Sequence, residues 1–176
     1  MITVEEALKI VHAHLGHWGT EEIFLDQSLG RILQEEIVAD RDFPPFNRVT
    51  MDGIGLNFDQ FDKGQRVFEI KGVAPAGGLQ QELPDPSYCL EVMTGATVPI
   101  GIDVVVRYED LEILEGKATV RLSSLNRNQN IHFKGSDRHQ GSVILSPGKC
   151  ISASEVGVCA TVGKNKISVS RLPKTL

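Results

Sequence analysis

Cys89-Leu90-Glu91-Val92-Met93 and Asp103-Val104-Val105-Val106-Arg107 are two short apolar runs, and the stretch between them, Thr94-Gly95-Ala96-Thr97-Val98-Pro99-Ile100-Gly101-Ile102, is punctuated by two glycines and a proline. Runs of this length, rich in β-branched residues and closed by Gly and Pro, read as strands. The same grammar extends outward, to Arg66–Ile70 on one side and Ala118–Leu122 on the other. From about Met51 to Leu122 the pattern therefore predicts a β-rich module and not a βα repeat.

Beyond the module the periodicity changes. Thr3-Val4-Glu5-Glu6 is a capping box that starts a helix. Val4, Ala7, Leu8, Val11 and Leu15 fall on one face of it, a face that must dock on something, and Gly16 supplies the stop. Glu36–Ala39 reads as a strand leading to Pro44-Pro45, which forbids helix and predicts an extended connector. The polar, turn-prone run Asn126–Asn130 marks a boundary, after which strands are expected at Ile131–Phe133 and Ser142–Leu145. Ser152-x-x-Glu155 is a second capping box, Gly163 ends its helix, and Lys166–Ser170 is a last strand. The expected fold is mainly β with a few helices (α+β), in two domains. Residues 1–45 and 127–176 would form a discontinuous domain of strands and two helices, with 46–126 inserted as a β-rich domain. Ending just past Arg171-Leu172-Pro173, the sequence is expected to be the first part of a longer protein.

Composition narrows the function. Hydrophobic residues at 41% and charged residues at 23% are ordinary globular values, enough to bury a core without staples. No apolar run is long enough to span a bilayer, and Glu5, Glu6, Lys9 and His12 interrupt any signal-peptide core, so a soluble cytoplasmic protein is expected, with no membrane partner. Cys89, Cys150 and Cys159 lack C-x-x-C spacing and read as reduced thiols. A net charge of −5 repels a nucleic-acid backbone, although a local Arg or Lys cluster can still receive one phosphorylated small molecule.

The individual motifs each have an ordinary reading. His12, His14 and His17 spell H-x-H-x-x-H, but residues two apart lie about 200° apart on a helix and cannot converge on one ion, which leaves a solvated surface. Gly72–Gly78 lacks the Lys-Ser/Thr of a phosphate loop and reads as a flexible β connection. Met51-Asp52-Gly53 is either a turn or a carboxylate held for Mg²⁺ on a stiff approach. Thr94-Gly95-Ala96 is either a strand-ending turn or a nest of amide hydrogens for an anion, and Asp137 in Gly135-Ser136-Asp137 is a loop carboxylate.

Taken in order, these segments resemble one family. Leu29-Gly30-Arg31-Ile32-Leu33, Asp42-Phe43-Pro44-Pro45-Phe46 and Met51-Asp52-Gly53 resemble G-R-x-L…D-x-P-P-F-x-x-S-x-M-D-G. Thr94-Gly95-Ala96-x-x-Pro99-x-Gly101-x-Asp103-x-Val105-Val106, with Glu109 beyond, looks like T-G-A-x-x-P-x-G-A-D-x-V-V-x-x-E. Asn130-Ile131-His132-x-x-Gly135-x-Asp137 is similar to N-I-R-x-x-G-E-D, and Ser154-Glu155-Val156-Gly157 with Gly163 to the helix that follows. The family is that of the molybdopterin molybdenumtransferases, the MoeA type to which the gephyrin C-terminal region is related. The motifs run from about residue 4 to 173, so the likeness covers nearly the whole chain.

The resemblance implies an elongated β-rich N-terminal region with an inserted domain. In the family a pterin-binding α/β domain and a C-terminal β domain follow, and neither is expected in these 176 residues. It implies an enzyme that inserts molybdate into adenylylated molybdopterin with release of AMP, needs Mg²⁺, and works as a homodimer whose active site lies between subunits. This portion alone would then be inactive. By the same resemblance Asp52 is the molybdate- or metal-side carboxylate, Thr94 an oxyanion donor and Asp137 a supporting carboxylate, with Gly53, Gly95, Ala96 and Arg48 as binding positions beside them. The chain departs from the pattern in having Asn47-Arg48-Val49-Thr50 where relatives carry Asp-Asn-Ser-Ala, and Ser136 for the Glu of G-E-D. The first change puts a cation, Arg48, where an anion could meet it. A non-catalytic dimerisation or scaffold module is the alternative, and a Mg²⁺-dependent phosphohydrolase using Asp52 and Asp137 a third reading.

Overall fold

A computed structural model describes residues 2–14, 16 and 19–173. Along the chain the elements are α1 (Val4–Ala13), β1 (Thr20–Phe24), β2 (Ile37–Val38), β3 (Arg48–Val49), β4 (Gly53–Leu56) and α2 (Phe58–Asp62). There follow β5 (Val67–Ala74), β6 (Tyr88–Val92), β7 (Val104–Arg107), β8 (Leu111–Leu114), β9 (Lys117–Val120) and β10 (Ile131–His132). The last three are β11 (Val143–Leu145), α3 (Ala153–Thr161) and β12 (Lys166–Ser170). Strand outweighs helix, as expected. The chain forms two compact units, Met1–Asp40 with Gly141–Leu176, and Arg41–Gln140.

The first unit is built on two antiparallel strand pairs, β1 with β12 and β2 with β11. Leu33, Ile37, Ile151, Cys159, Ile167 and Val169 form its core. Both capping boxes are present. The Thr3 hydroxyl accepts the Glu6 amide at 3.1 Å while the Thr3 amide donates to the Glu6 carboxylate at 2.8 Å. At α3 the Ser152 amide donates to Glu155 at 2.9 Å, and the Ser152 hydroxyl first, then its amide, draw the Glu155 carboxyl down to about 2. Gly163, at φ 73°, ends α3. The expected docking of α1 is not seen in this chain, since Val4, Leu8 and Val11 are 73%, 52% and 58% exposed and no residue of the helix is buried. Leu15 and His17, which the sequence reading used, lie outside the described residues.

The second unit is a six-stranded sheet in the order β7-β4-β6-β5-β9-β8, antiparallel except for the β5–β6 pair. Strands β4, β6 and β7 are buried on both faces, which explains unbroken runs such as Val104-Val105-Val106. Val104 and Val106 join Ile54, Leu56 and Phe68 on one face, and Val105 joins Val92, Ala96 and Ile102 on the other. Cys89, Cys150 and Cys159 are free thiols, and burial pushes the Cys89 thiol up to about 12.

Three sequence expectations need correction. The junctions fall at 40 and 141, not at 45 and 127, because the returning chain pairs with the outgoing one. β10 lies antiparallel to β3, Phe43 bridges Arg138, and the Asp137 amide donates to Phe43 O at 2.9 Å. The Pro44-Pro45 segment is a bend, with Phe43–Pro44 in the cis form, and not a straight connector. Gly72-Val73-Ala74 belongs to β5, and only Pro75–Gly78 forms the turn. Among the described residues no helix is long and apolar enough to cross a membrane.

Candidate functional site

Gly53 opens β4, which lies between β6 and β7 with Gly53 opposite Val92 and Arg107. A Cβ at Gly53 would stand 1.9 Å from the Val106 carbonyl oxygen, so only glycine lets the sheet close at this point. Gly53 is therefore buried packing. Asp52 projects from the end of the ladder, exposed, where the next rung would fall. There its Oδ1 accepts the Thr94 amide hydrogen at 2.6 Å. That bond first, and a second from the Thr94 side chain, hold the Asp52 carboxyl below its ordinary value.

The turn after β6 does not present a nest of free amides. Thr94 N–H is spent on Asp52, Gly95 N–H donates to Val49 O at 2.9 Å, and Ala96 N–H to Met93 O at 2.9 Å. Ala96 is buried, so what faces outward from Thr94-Gly95-Ala96 is Thr94 itself. This corrects the reading of Gly95 and Ala96 as amide donors to an anion. Their work is to lock the turn onto β3, where Val49 N–H returns a bond to Ala96 O at 2.9 Å.

β3 also carries the second half of the site. Arg48 faces His132 across the β3–β10 ladder, with its Nη2 3.3 Å from His132 Nδ1. On the far side His132 Nε2 lies 3.0 Å from Asp137 Oδ1. Gly135, at φ 75° and buried, makes the turn that returns Asp137 to His132, and its amide donates to Pro44 O at 3.0 Å. The structure thus joins Asp52 to Thr94, and Asp137 to Arg48 through His132, on two segments that share β3. Among the described residues no group of three or more His, Cys, Asp or Glu side chains converges as a metal cage. One exposed, ionised carboxylate at Asp52 fits a Mg²⁺ that is held by one or two protein carboxylates, substrate phosphate and water, and does not fit a dedicated protein cage.

Sequence reasoning missed three neighbours. Tyr108 donates its amide hydrogen to Asp52 O at 3.3 Å and its hydroxyl to Glu91 at 3.2 Å. Burial first, then the Glu91 charge, raises the Tyr108 pKa and keeps the phenol neutral beside Asp52. Nothing in spacing marks Tyr108 or Glu91. His132 did carry a signal, because it stands where the motif has Arg, on the rung facing the other departure, Arg48.

Comparison with known proteins shows the family. The chain matches the family described as MoeA N-terminal region (domain I and II) over residues 2–163, and it belongs to that family. A molybdopterin molybdenumtransferase from Synechocystis is 37% identical over 179 residues, covering 99% of this chain and 45% of the relative. One from Staphylococcus epidermidis is 34% identical, with 98% and 42% covered. Among solved structures, a molybdopterin biosynthesis MoeA protein from Pyrococcus horikoshii superimposes with a TM-score of 0.86 at 28% identity, covering 96% of this chain and 46% of that one. The chain spans less than half the length of these relatives.

Proposed function

We propose that this chain forms the first two domains of an enzyme of molybdenum cofactor biosynthesis and supplies half of a molybdenum-inserting site. The observation that carries the reading is the Asp52–Thr94 pair, an exposed carboxylate kept ionised next to a threonine at the end of a rigid sheet. The substrates are molybdate and adenylylated molybdopterin, with AMP released. Both are anions, and bringing them together needs a cation, neutral donors and a carboxylate to hold the cation. Asp52 is the residue that would hold Mg²⁺, which when bound offsets the charge of the phosphoanhydride and molybdate oxygens. The Thr94 hydroxyl, which donates to Asp52 in this arrangement, can turn to an oxyanion once Asp52 holds the cation, and Asp137 is kept in place by His132. Gly53, Gly95 and Ala96 support these groups from beneath, and Arg48 faces the anion. The protein is cytoplasmic and pairs as a homodimer, for which the exposed stripe of Val4, Leu8 and Val11 on α1 is suitable apolar surface.

Asp52→Asn in a full-length protein carrying these 176 residues tests the reading. The amide keeps the shape and one acceptor oxygen but loses the charge that balances a divalent cation. Molybdenum insertion should be lost at saturating Mg²⁺ while pterin binding and the unfolding midpoint stay close to wild type. Wild-type insertion by this variant would remove Asp52 from the site.

A further inference from the structure

Tyr108 and Glu91 stand beside the Asp52–Thr94 pair, and neither takes part in the function proposed above. Register places them. Glu91 on β6 lies opposite Ile54 of β4, and Val106 of β7 lies opposite the same residue from the other side. Side chains alternate along a strand, so Asp52 and Tyr108, each two residues from that rung, share its face. The face is otherwise the apolar one of Ile54, Leu56, Cys89, Val104 and Val106, against which Tyr108 packs. At its end come two carboxylates and a phenol.

Glu91 and Asp52 are diagonal neighbours across the β4–β6 pair, with Cβ atoms about 7 Å apart, close enough for both carboxylates to reach one cation. The structure gives each a different partner. Asp52 Oδ1 accepts the Thr94 amide hydrogen at 2.6 Å, while Glu91 Oε1 accepts the Tyr108 hydroxyl hydrogen at 3.2 Å. Tyr108 is itself fastened to Asp52, since its amide donates to the Asp52 carbonyl oxygen at 3.3 Å. Its side chain thus starts on one side of β4 and ends on the other. Among the described residues no Lys, Arg or His pairs with Glu91, so the hydroxyl is what holds this half-buried carboxylate in place. Burial first, then the Glu91 charge, with Asp52 adding to both, raises the Tyr108 pKa, and the phenol stays a neutral donor.

We propose that Tyr108 is a positioning residue that withholds Glu91 from a cation at Asp52 and so limits the protein's share of that cation to one carboxylate. The consequence is selectivity. An ion held by one carboxylate keeps its other positions for water and for the oxygens of anionic substrates, as Mg²⁺ does, whereas a second carboxylate builds toward the oxygen-rich shell that Ca²⁺ takes. The place of the cation at Asp52 rests on the function proposed above.

Removal of one oxygen tests the restraint. The 176-residue chain is titrated with Mg²⁺ and, separately, with Ca²⁺, and the side-chain carboxyl carbons of Asp52 and Glu91 are followed by NMR. In wild type Asp52 should respond to Mg²⁺ and Glu91 should not, and Glu91→Gln should leave the affinity within about twofold. Tyr108→Phe keeps the ring and the amide bond to Asp52 but frees Glu91. Both carboxyl carbons should then respond together, with Mg²⁺ bound about tenfold more tightly and Ca²⁺ gaining more than Mg²⁺. Tyr108→Phe combined with Glu91→Gln should return both affinities to wild type. A phenol that merely filled space would give no gain for Glu91→Gln to cancel. Weaker binding by Glu91→Gln alone would mean that Glu91 is already a ligand, and it would overturn the inference. So would a Tyr108→Phe variant with no gain, or a gain that survives in the double variant. A wild-type Asp52 carbon silent to Mg²⁺ would count against the proposed function alone, because the difference between Tyr108→Phe and wild type decides the role of Tyr108.

Discussion

Asp52 is held by its partners and not by burial, and this gives its titration a definite sign. The amide and side chain of Thr94 bind its charged form, so its folded pKa lies below the ordinary aspartate value of 3.8. A group with a depressed folded pKa contributes stability that is fully present above its unfolded value and lost as pH falls through the folded one. Asp52 should thus remain ionised throughout the neutral range and protonate only below 3.8, as followed by the carboxyl carbon shift. Thr94→Val removes the side-chain donor but leaves the amide bond, and should move the midpoint part of the way back up. A wild-type midpoint at or above 3.8 would mean that the Thr94 contact does not persist in solution. Residue identity alone could not supply this picture. Met51-Asp52-Gly53 by itself reads as a turn more readily than as a metal carboxylate, and only the ladder between β4 and β6 brings Asp52 and Thr94, 42 positions apart, into contact.

Among the elements, β4 separates what was legible from what was not. Lys166–Ser170, both capped helices, and strands overlapping the runs at Cys89–Met93 and Asp103–Arg107 follow from caps and β-branched runs, which are local signals. Gly53-Ile54-Gly55-Leu56 sends the opposite local signal, because glycine weakens a strand, yet all four residues are buried at the centre of one sheet half. The reason is close approach. A Cβ at Gly55 would meet two side-chain carbons of Ile102 at 2.8 Å, and one at Gly53 would meet the Val106 backbone. Gly53→Ala should therefore destabilise the second unit by about 3 kcal/mol or more in urea unfolding, since backbone and not a flexible side chain must yield. Gly157→Ala in α3 is the contrast. Nothing lies within 4 Å of a Cβ there, and the change should stabilise by about 0.5–1 kcal/mol. If both substitutions were neutral, the close packing at β4 would be absent in solution.

For the whole molecule, the sequence conveyed that one β-rich module interrupts another, because Pro44-Pro45 and Asn126–Asn130 are visible punctuation. It could not place the junctions, since pairing between residues 41–49 and 131–140 depends on partners about 90 positions apart and leaves no local mark. At the true junctions, Ala39 N–H donates to Ser142 O at 2.9 Å and Gly141 N–H donates to Ala39 O at 2.8 Å. These bonds continue the β2–β11 pair to within one residue of where the chain departs and to the first residue after it returns. In topological terms β2 and β11 are the arms of a hairpin, and Arg41–Gln140 is the content of its loop. Loop closure costs grow only slowly with length, so such a hairpin tolerates a folded guest in place of a tight turn. The exchange should run in reverse: with Arg41–Gln140 replaced by Asn-Gly, a dipeptide suited to a two-residue turn, the remaining chain should keep the amide shifts of β1, β12 and α3. Collapse of those shifts would show that the host needs its guest.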